Sequence, residues 1–282
     1  MTSKPTTDQL DSHERYWTTL KEKIDQEASK GDQNELLDTI SSVIYAPGTR
    51  FHHPLLLDYE IHGFWYTIIA AAKSFTECNP QQDTLVSRIL YVREIGIVTD
   101  KIEGEDTEVI LRTSNGQGIW SDLPYLLSDL ESACTDTSMS PTETLNLHSF
   151  IARLASVGVC GNLLTGCALR LFRDALETQR TSLIKSLLPA IRIWVFYASH
   201  KLGAVIKSRF GEGNELSAEL TAVSELCRDA GVKANGFSTA RWAFWEKRLE
   251  VMKMSDEEEI SVEAASILNM MAMIADNKKH VW

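Results

Sequence analysis

Residues 237–249 carry the sequence Phe-Ser-Thr-Ala-Arg-Trp-Ala-Phe-Trp-Glu-Lys-Arg-Leu, which predicts a helix with one buried face. Ser238 is a residue type that caps helix N-termini, because its hydroxyl accepts a hydrogen bond from a free amide of the first turn. Trp242, Trp245 and Leu249 follow at spacings of three and four residues, which places them in one stripe along a helix. Two tryptophans in such a stripe indicate that this helix is anchored in a hydrophobic core.

Two arginines flank this stripe. Arg241 lies four residues before Trp245, close enough for its guanidinium to stack on the indole. Arg248 lies one heptad after Arg241, so both arginines reach the same polar region. The structural interpretation is an anchoring helix whose arginines pair with acidic neighbours. The functional interpretation is a wall of Trp245, Arg241 and Arg248 that binds an aromatic or anionic ligand, and we keep these three as candidate ligand-binding residues.

The same helical periodicity dominates the rest of the chain. It predicts an all-α protein of about eleven helices, packed as antiparallel pairs in a compact helical-repeat-like or bundle domain. The predicted helices cover residues 11–31, 32–46, 53–78, 83–92, 121–134, 142–157, 159–178, 182–209, 216–230, 238–254 and 257–276.

Two regions depart from a simple helical pattern. Residues 99–120 are partly polar and contain Asn115-Gly116, a strong hairpin-turn dipeptide. A short hairpin is one interpretation, but we favour a long irregular connection, because no other strand is predicted to complete a sheet. The second region, 154–172, is apolar nearly all round, and we expect a buried helix there whose glycines let its neighbours approach closely.

The expected domain organisation is simple. Residues 1–10 are predicted to be a disordered N-terminus, 11–276 a single helical domain and 277–282 a tail. The polar run from Thr135 to Pro141 is a candidate linker, which would divide the domain into halves at 11–134 and 141–276.

The composition argues against two classes of partner. The chain has 282 residues and a net charge of -11, and a surface of that sign repels phosphates. We therefore expect neither a nucleic-acid binder nor a protein held on an anionic membrane.

No uncharged segment reaches the ~18–20 residues of a membrane span, and the first residues lack the apolar stretch of a secretory signal. The five scattered cysteines are typical of free thiols in a reducing compartment, so we expect a cytoplasmic location.

Asp58 and His62 are the best candidates for catalytic residues. They lie four residues apart on the third predicted helix, so the carboxylate could orient the imidazole as an acid–base pair. His52, His53 and Glu60 lie nearby, but His53 does not align with His62 at the spacing of a helical metal site. A polar helix start with one hydrogen-bonded histidine is the structural alternative. We expect no metal and no cofactor.

The motifs of several common enzyme classes are missing from the chain. It contains no Asp-Asp-x-x-Asp diphosphate motif and no Gly-x-Ser-x-Gly nucleophile turn. It also contains no Gly-x-Gly-x-x-Gly phosphate loop. The late methionines are expected to fill gaps in a helical core.

Two short segments resemble a known family. The pattern Phe-Ser-x-x-Arg-Trp-x-x-Trp-x-x-Arg at 237–248 and the segment Ile-Trp-Ser-Asp-Leu-Pro at 119–124 look like a large, mostly fungal family of helical proteins of unknown function. The resemblance implies an all-helical cytosolic protein. Members of such families often accompany gene clusters for specialised metabolites. No established catalytic residues come with the resemblance.

Two hypotheses of function follow. The first is a small-molecule-binding accessory protein of fungal specialised metabolism, either without catalytic activity or acting as a cofactor-independent isomerase or cyclase. A pocket lined by His62, Trp65 or Trp245 would favour it, and Trp65 is the fourth candidate ligand-binding residue. The second is a non-enzymatic helical adaptor that binds a protein partner, which an open apolar groove would favour. The oligomeric state cannot be inferred from the sequence.

Overall fold

The computed structural model describes residues 7–30, 33–44, 53–101 and 108–276. In these ranges the chain forms thirteen helices and one antiparallel pair of strands, so the predicted all-α class is confirmed. The elements are α1 Thr7–Lys30, α2 Gln33–Ile44, α3 Pro54–Ser74, α4 Gln81–Ile95, β1 Thr99–Lys101, β2 Glu108–Ile110, α5 Leu126–Cys134, α6 Pro141–Ser156, α7 Thr165–Leu176, α8 Thr181–Tyr197, α9 Ser199–Ser208, α10 Ala218–Thr221, α11 Glu225–Asp229, α12 Thr239–Lys253 and α13 Glu258–Asp276.

The chain divides into two compact units between Asp136 and Thr137. In the first unit α3 is central and contacts α1, α2, α4 and α5. Its apolar residues are buried on more than one side, including Phe64, Trp65 and Ile68. In the second unit α8 is central and contacts α6, α7, α9 and α13, while α12 packs on α13.

The structure has two more helices among its described residues than the sequence predicts, because two predicted helices are each divided. The predicted helix 182–209 is interrupted at Ala198, and nothing in the local sequence explains that break. The predicted helix 216–230 ends its first part at Thr221, and Ala222 is extended. The carbonyls of Thr221 and Ala222 accept hydrogen bonds from the Arg241 guanidinium, so this tertiary contact takes oxygens that a continuous helix would use internally.

The prediction of one buried helix through 154–172 is wrong. The segment between α6 and α7 forms a series of turns in which Gly158, Cys160 and Gly161 all have positive φ. Left-handed backbone ends a helix, and glycine adopts it without a Cβ penalty. These two glycines therefore serve the turns, not close packing of neighbouring helices.

The preference for an irregular connection at 99–120 is also wrong. Thr99 pairs with Ile110 and Lys101 with Glu108 in an antiparallel register. A further bridge joins Arg112 to Gly118 around the Asn115-Gly116 turn, where Gly116 has a φ of 84°. Two short strands thus pair without a larger sheet to complete.

The helix starts agree with the sequence in part. His53 caps α3 and its Nδ1 accepts a hydrogen bond from the Leu55 amide, with Pro54 in the first turn as predicted. The helix predicted from Asp11 begins earlier, at Thr7. The expectations for Gly31, His52, residues 45–51 and the 277–282 tail lie outside the described residues.

Candidate functional site

The first unit holds a half-exposed histidine that a carboxylate orients. His62, on α3, has its Nδ1 2.8 Å and 3.1 Å from the two carboxylate oxygens of Asp129, in the first turn of α5. A carboxylate only accepts hydrogen bonds, so Nδ1 carries the proton and Nε2 of the neutral ring keeps its lone pair. The side chains of His62 and Asp129 are 40% and 21% exposed. Small molecules in solution can therefore reach this pair.

Tyr125 covers one face of the His62 ring. The two ring centroids are 4.3 Å apart and the planes differ by 25°, which is a stacked arrangement. Tyr125 has a left-handed backbone, with a φ of 65°. Its hydroxyl is bonded to Ser114, Asp58 and Thr113, and burial, followed by the effect of Asp58, raises its pKa.

Asp58 has a different partner from the one predicted. Its carboxylate accepts a hydrogen bond from the Ser114 amide at 2.9 Å, in addition to its contact with the Tyr125 hydroxyl. The carboxylate that orients His62 is Asp129, which lies 67 residues along the chain on another helix. Asp58 thus binds Ser114 and Tyr125, which lie beside His62. It affects His62 only indirectly, through the stacked Tyr125 ring.

Trp65 is a fully buried member of the same unit. Its indole N–H donates a hydrogen bond to the Pro124 carbonyl at 2.6 Å, and its ring lies against Phe64 and Trp120. Since the side chain has no exposed surface, Trp65 does not contact a ligand directly in this conformation. The 119–124 segment of the family pattern is fixed by this bond and by Asp122, which accepts from the Gly118 amide.

The second unit contains a buried ion pair centred on the Arg-Trp helix. Arg241 and Glu177 are both fully buried, with Nε 2.6 Å from the carboxylate. The guanidinium also donates to the carbonyls of Thr221, Gly236 and Ala222 at 2.8, 3.0 and 3.1 Å. Every one of these partners is protein, so Arg241 joins the turns around α12 and has no free donor surface for a ligand.

Glu177 collects further donors. The Trp245 indole N–H donates to it at 2.9 Å and the Ser224 amide at 2.7 Å. The Cys227 thiol is also bonded to it, and burial, followed by the carboxylate charge, raises the Cys227 pKa to about 12. A carboxylate with these partners has its hydrogen-bonding capacity filled by protein donors.

The remaining residues of the predicted helix have structural contacts as well. The Ser238 hydroxyl accepts from the Arg241 amide, so the predicted N-cap is confirmed. Trp245 has no exposed surface. Arg248 is partly buried, donates to the carbonyls of Leu176 and Thr178 at 3.2 and 3.4 Å, and has its pKa lowered by burial. A ligand contact through Trp245 would therefore require another conformation, whereas part of the Arg248 side chain is exposed.

Two other features of the second unit bear on chemistry. A cleft of ≈ 650 Å³ is lined mainly by polar side chains, among them Glu177, and none of the predicted site residues lines it. His148 is buried, its Nδ1 accepts a hydrogen bond from the Trp194 indole at 3.1 Å, and burial lowers its pKa to about 4. His148 is therefore a neutral core residue.

Metal and membrane features are absent from the described ranges. No three His, Cys, Asp or Glu side chains there come together as ligands of one ion. None of the helices in those ranges is long and apolar enough to cross a membrane.

These observations define an all-helical protein with an exposed His–Asp pair in one unit and a buried Arg–Glu pair in the other. The chain belongs to the family described as "Protein of unknown function (DUF3632)", whose model matches residues 65–249 and so includes both sequence patterns. It is similar to "Oxopyrrolidines biosynthesis cluster protein G" of Penicillium oxalicum, with 30% identity over 220 residues. The match covers 68% of this chain and 59% of that relative, less than two thirds of its length. No solved structure matches the chain.

Sequence reasoning missed Asp129, Tyr125 and Glu177. Asp129 and Glu177 reach their partners through tertiary packing, over separations that no helical spacing indicates. Tyr125 follows the 119–124 pattern directly, and that position was the one available signal. Because Tyr125 directly follows the 119–124 segment, it could have been considered as a neighbour of the predicted Asp58–His62 pair.

Proposed function

We propose that this protein binds a small molecule in fungal specialised metabolism and moves a proton on it at His62, as a cofactor-independent isomerase or cyclase. The observation that carries the proposal is the 2.8 Å contact between Asp129 and Nδ1 of a half-exposed His62. That contact leaves Nε2 as the proton acceptor. Such an arrangement is the usual geometry of a histidine general base.

The chemistry requires only proton movements. Nε2 removes a proton from a weakly acidic position of the ligand, and the electron pair of the broken bond remains on the ligand. The imidazolium that forms is stabilised by the Asp129 carboxylate. Returning the proton to a different atom gives an isomer. Attack of the same electron pair on a carbonyl carbon within the ligand closes a ring: the C=O π pair moves onto the oxygen, which then takes the proton back from the imidazolium. Neither outcome changes the oxidation level of the ligand.

The biological context comes from the relative. The Penicillium oxalicum protein is named for a cluster that makes oxopyrrolidines, and the shared family supports a related role for this chain. The identity of the ligand is not implied by that name, since the match covers only part of the relative.

The test is deuterium incorporation. Purified protein is incubated in D₂O with a small-molecule extract of the cells that naturally make it, and the extract is then searched by mass spectrometry for compounds that gain one mass unit. We expect such compounds with the natural protein and with His200→Gln, and none with His62→Gln. His200 is a matched control, because it is an exposed histidine of the other unit whose ring contacts the Ser156 carbonyl.

Two results would contradict the proposal. The first is a set of exchanging compounds that is identical with His62→Gln and with the natural protein. The second is the absence of any exchanging compound combined with no thermal stabilisation of the protein by any fraction of the extract.

The adaptor alternative draws on a different observation. Val251 and Met254, at the end of α12, are 63% and 81% exposed. If they bind a protein partner, a stoichiometric partner should co-purify with the natural chain from its own cells and be lost with Met254→Asp. A chain that purifies alone would count against this alternative.

A further inference from the structure

The turn beside His62 has an unfavourable backbone conformation. Leu123 and Tyr125, on either side of Pro124, have φ values of 48° and 65°. Both are non-glycine residues in the left-handed region, where the Cβ is crowded by the backbone. Such residues persist only where surrounding contacts over-determine them, and they are concentrated at functional sites.

The contact that holds this turn comes from α3. The Trp65 indole N–H donates to the carbonyl of Pro124, the residue between the two strained positions, at 2.6 Å. Trp65 is fully buried and Leu123 is 7% exposed, so the turn cannot rotate without breaking a buried hydrogen bond and moving core side chains.

The position of this turn decides the surroundings of His62. Tyr125 has this left-handed backbone and stacks on the imidazole, and its phenol hydroxyl is bonded separately to Asp58 and Ser114. One face of the His62 ring is thereby covered, so a ligand must approach the 40% of the side chain that is exposed.

We infer that Trp65 is a positioning residue of the His62 site. It acts through the Pro124 carbonyl, which keeps Tyr125 stacked on the imidazole and so fixes the side from which a ligand approaches. The inference rests on the proposed function in treating His62 as the reactive group, but its test measures the position of Tyr125 and requires no activity.

The experiment compares Trp65→Phe with Trp120→Phe in the full chain. Both changes remove an indole from one aromatic cluster, but only Trp65 has its N–H on Pro124. The readout is the NMR position of the His62 ring protons, which a stacked tyrosine ring displaces upfield. Tyr125→Ala gives the undisplaced reference.

We expect the displacement to remain in Trp120→Phe and to fall to the Tyr125→Ala value in Trp65→Phe, with unchanged far-UV circular dichroism in both. Retention of the displacement in Trp65→Phe would overturn the inference. Equal loss in both tryptophan variants would overturn it too, since a general loosening of the core would then explain the effect.

A second variant keeps the inference testable if Trp65→Phe does not fold. Tyr125→Phe keeps the ring and removes the bonds to Asp58 and Ser114. If the indole holds the turn, the His62 displacement stays, whereas its loss would assign the positioning to Asp58 and overturn the inference. Neither result depends on deuterium exchange, so a failure here is distinguishable from a failure of the proposed proton transfer.

Discussion

Replacing Arg241 by methionine tests the assignment of the Arg-Trp helix as a structural anchor. Methionine keeps much of the side-chain length and removes the charge and all the donors. Glu177 would then be a fully buried carboxylate without its counter-charge, although the Trp245 and Ser224 N–H groups would still donate to it. The carbonyls of Gly236 and Ala222 would lose their guanidinium donor, whereas the Thr221 carbonyl would keep its bond from the Gly236 amide.

The expected loss in the free energy of unfolding follows from these contacts. Breaking a buried ion pair by removing one partner costs ~3–5 kcal/mol. Each carbonyl left without a partner adds ~1 kcal/mol if water does not reach it. The two donors that remain on Glu177 reduce the first contribution, so we expect a total on the order of 5 kcal/mol.

The assay is urea unfolding of the full chain, with hydrogen exchange measured peptide by peptide to separate the second unit from the first. Arg248→Met is the matched control, because Arg248 donates to two carbonyls at longer distances, and we expect it to cost ~1–2 kcal/mol. Adding Glu177→Gln to Arg241→Met should cost less than the sum of the single changes, because the two side chains are in contact. A loss below ~1 kcal/mol for Arg241→Met would refute the reasoning.

Three further predictions concern the second unit. Stability should fall by ~3 kcal/mol as the pH is lowered from 6.5 to 4, because the folded pKa of His148 is about 4 and its ordinary value is 6.5, so the unfolded chain binds the proton first. That decrease, measured by urea unfolding against pH, should vanish with His148→Gln and persist with His200→Gln. Gly231→Ala should cost only ~1–2 kcal/mol, the strain of a left-handed alanine, because its Cβ would meet no other atom. Gly236→Ala should cost clearly more, because its Cβ would lie 2.5 Å from a backbone carbon. Equal decreases in melting temperature for the two variants would contradict this. Trp245→Ala should cost ~3–5 kcal/mol in urea unfolding because the side chain is fully buried, and a loss of ~0.5 kcal/mol or less would contradict its place in the core.

The sequence predicted those features that depend on neighbours along the chain. The Ser238 cap and the buried stripe of α12 follow from local spacing alone, and the structure confirms both. The start of α3 at His53-Pro54 was predictable for the same reason. Each of these three features depends only on residues that are close together along the chain.

The errors arise where tertiary contacts or turn geometry compete with helical propensity. The 216–230 helix divides because Arg241 takes the carbonyls of Thr221 and Ala222. The apolar run through 154–172 has a helix-like composition, but Gly158 and Gly161 adopt the left-handed backbone of turns. In both places the sequence pattern predicts helix continuity wrongly.

The candidate site was predictable only to the level of one residue. The sequence placed His62 on the third helix and predicted that a carboxylate orients its imidazole. The spacing rule then selected Asp58, the nearest acid on the same helix, because partners on other helices have no spacing signal. In the structure Asp129 is the carboxylate that contacts His62, and Asp58 is hydrogen-bonded to Tyr125 and Ser114.

The central claim is that Asp129 holds His62 with Nε2 as the proton acceptor. The most direct measurement is the ¹⁵N NMR pattern of the His62 ring at a pH where the imidazole is neutral. The structure predicts a protonated Nδ1 and an unprotonated Nε2, since Nδ1 lies 2.8 Å from the carboxylate. A ring protonated on Nε2 would contradict the claim, because the exposed nitrogen would then have no lone pair with which to accept a proton.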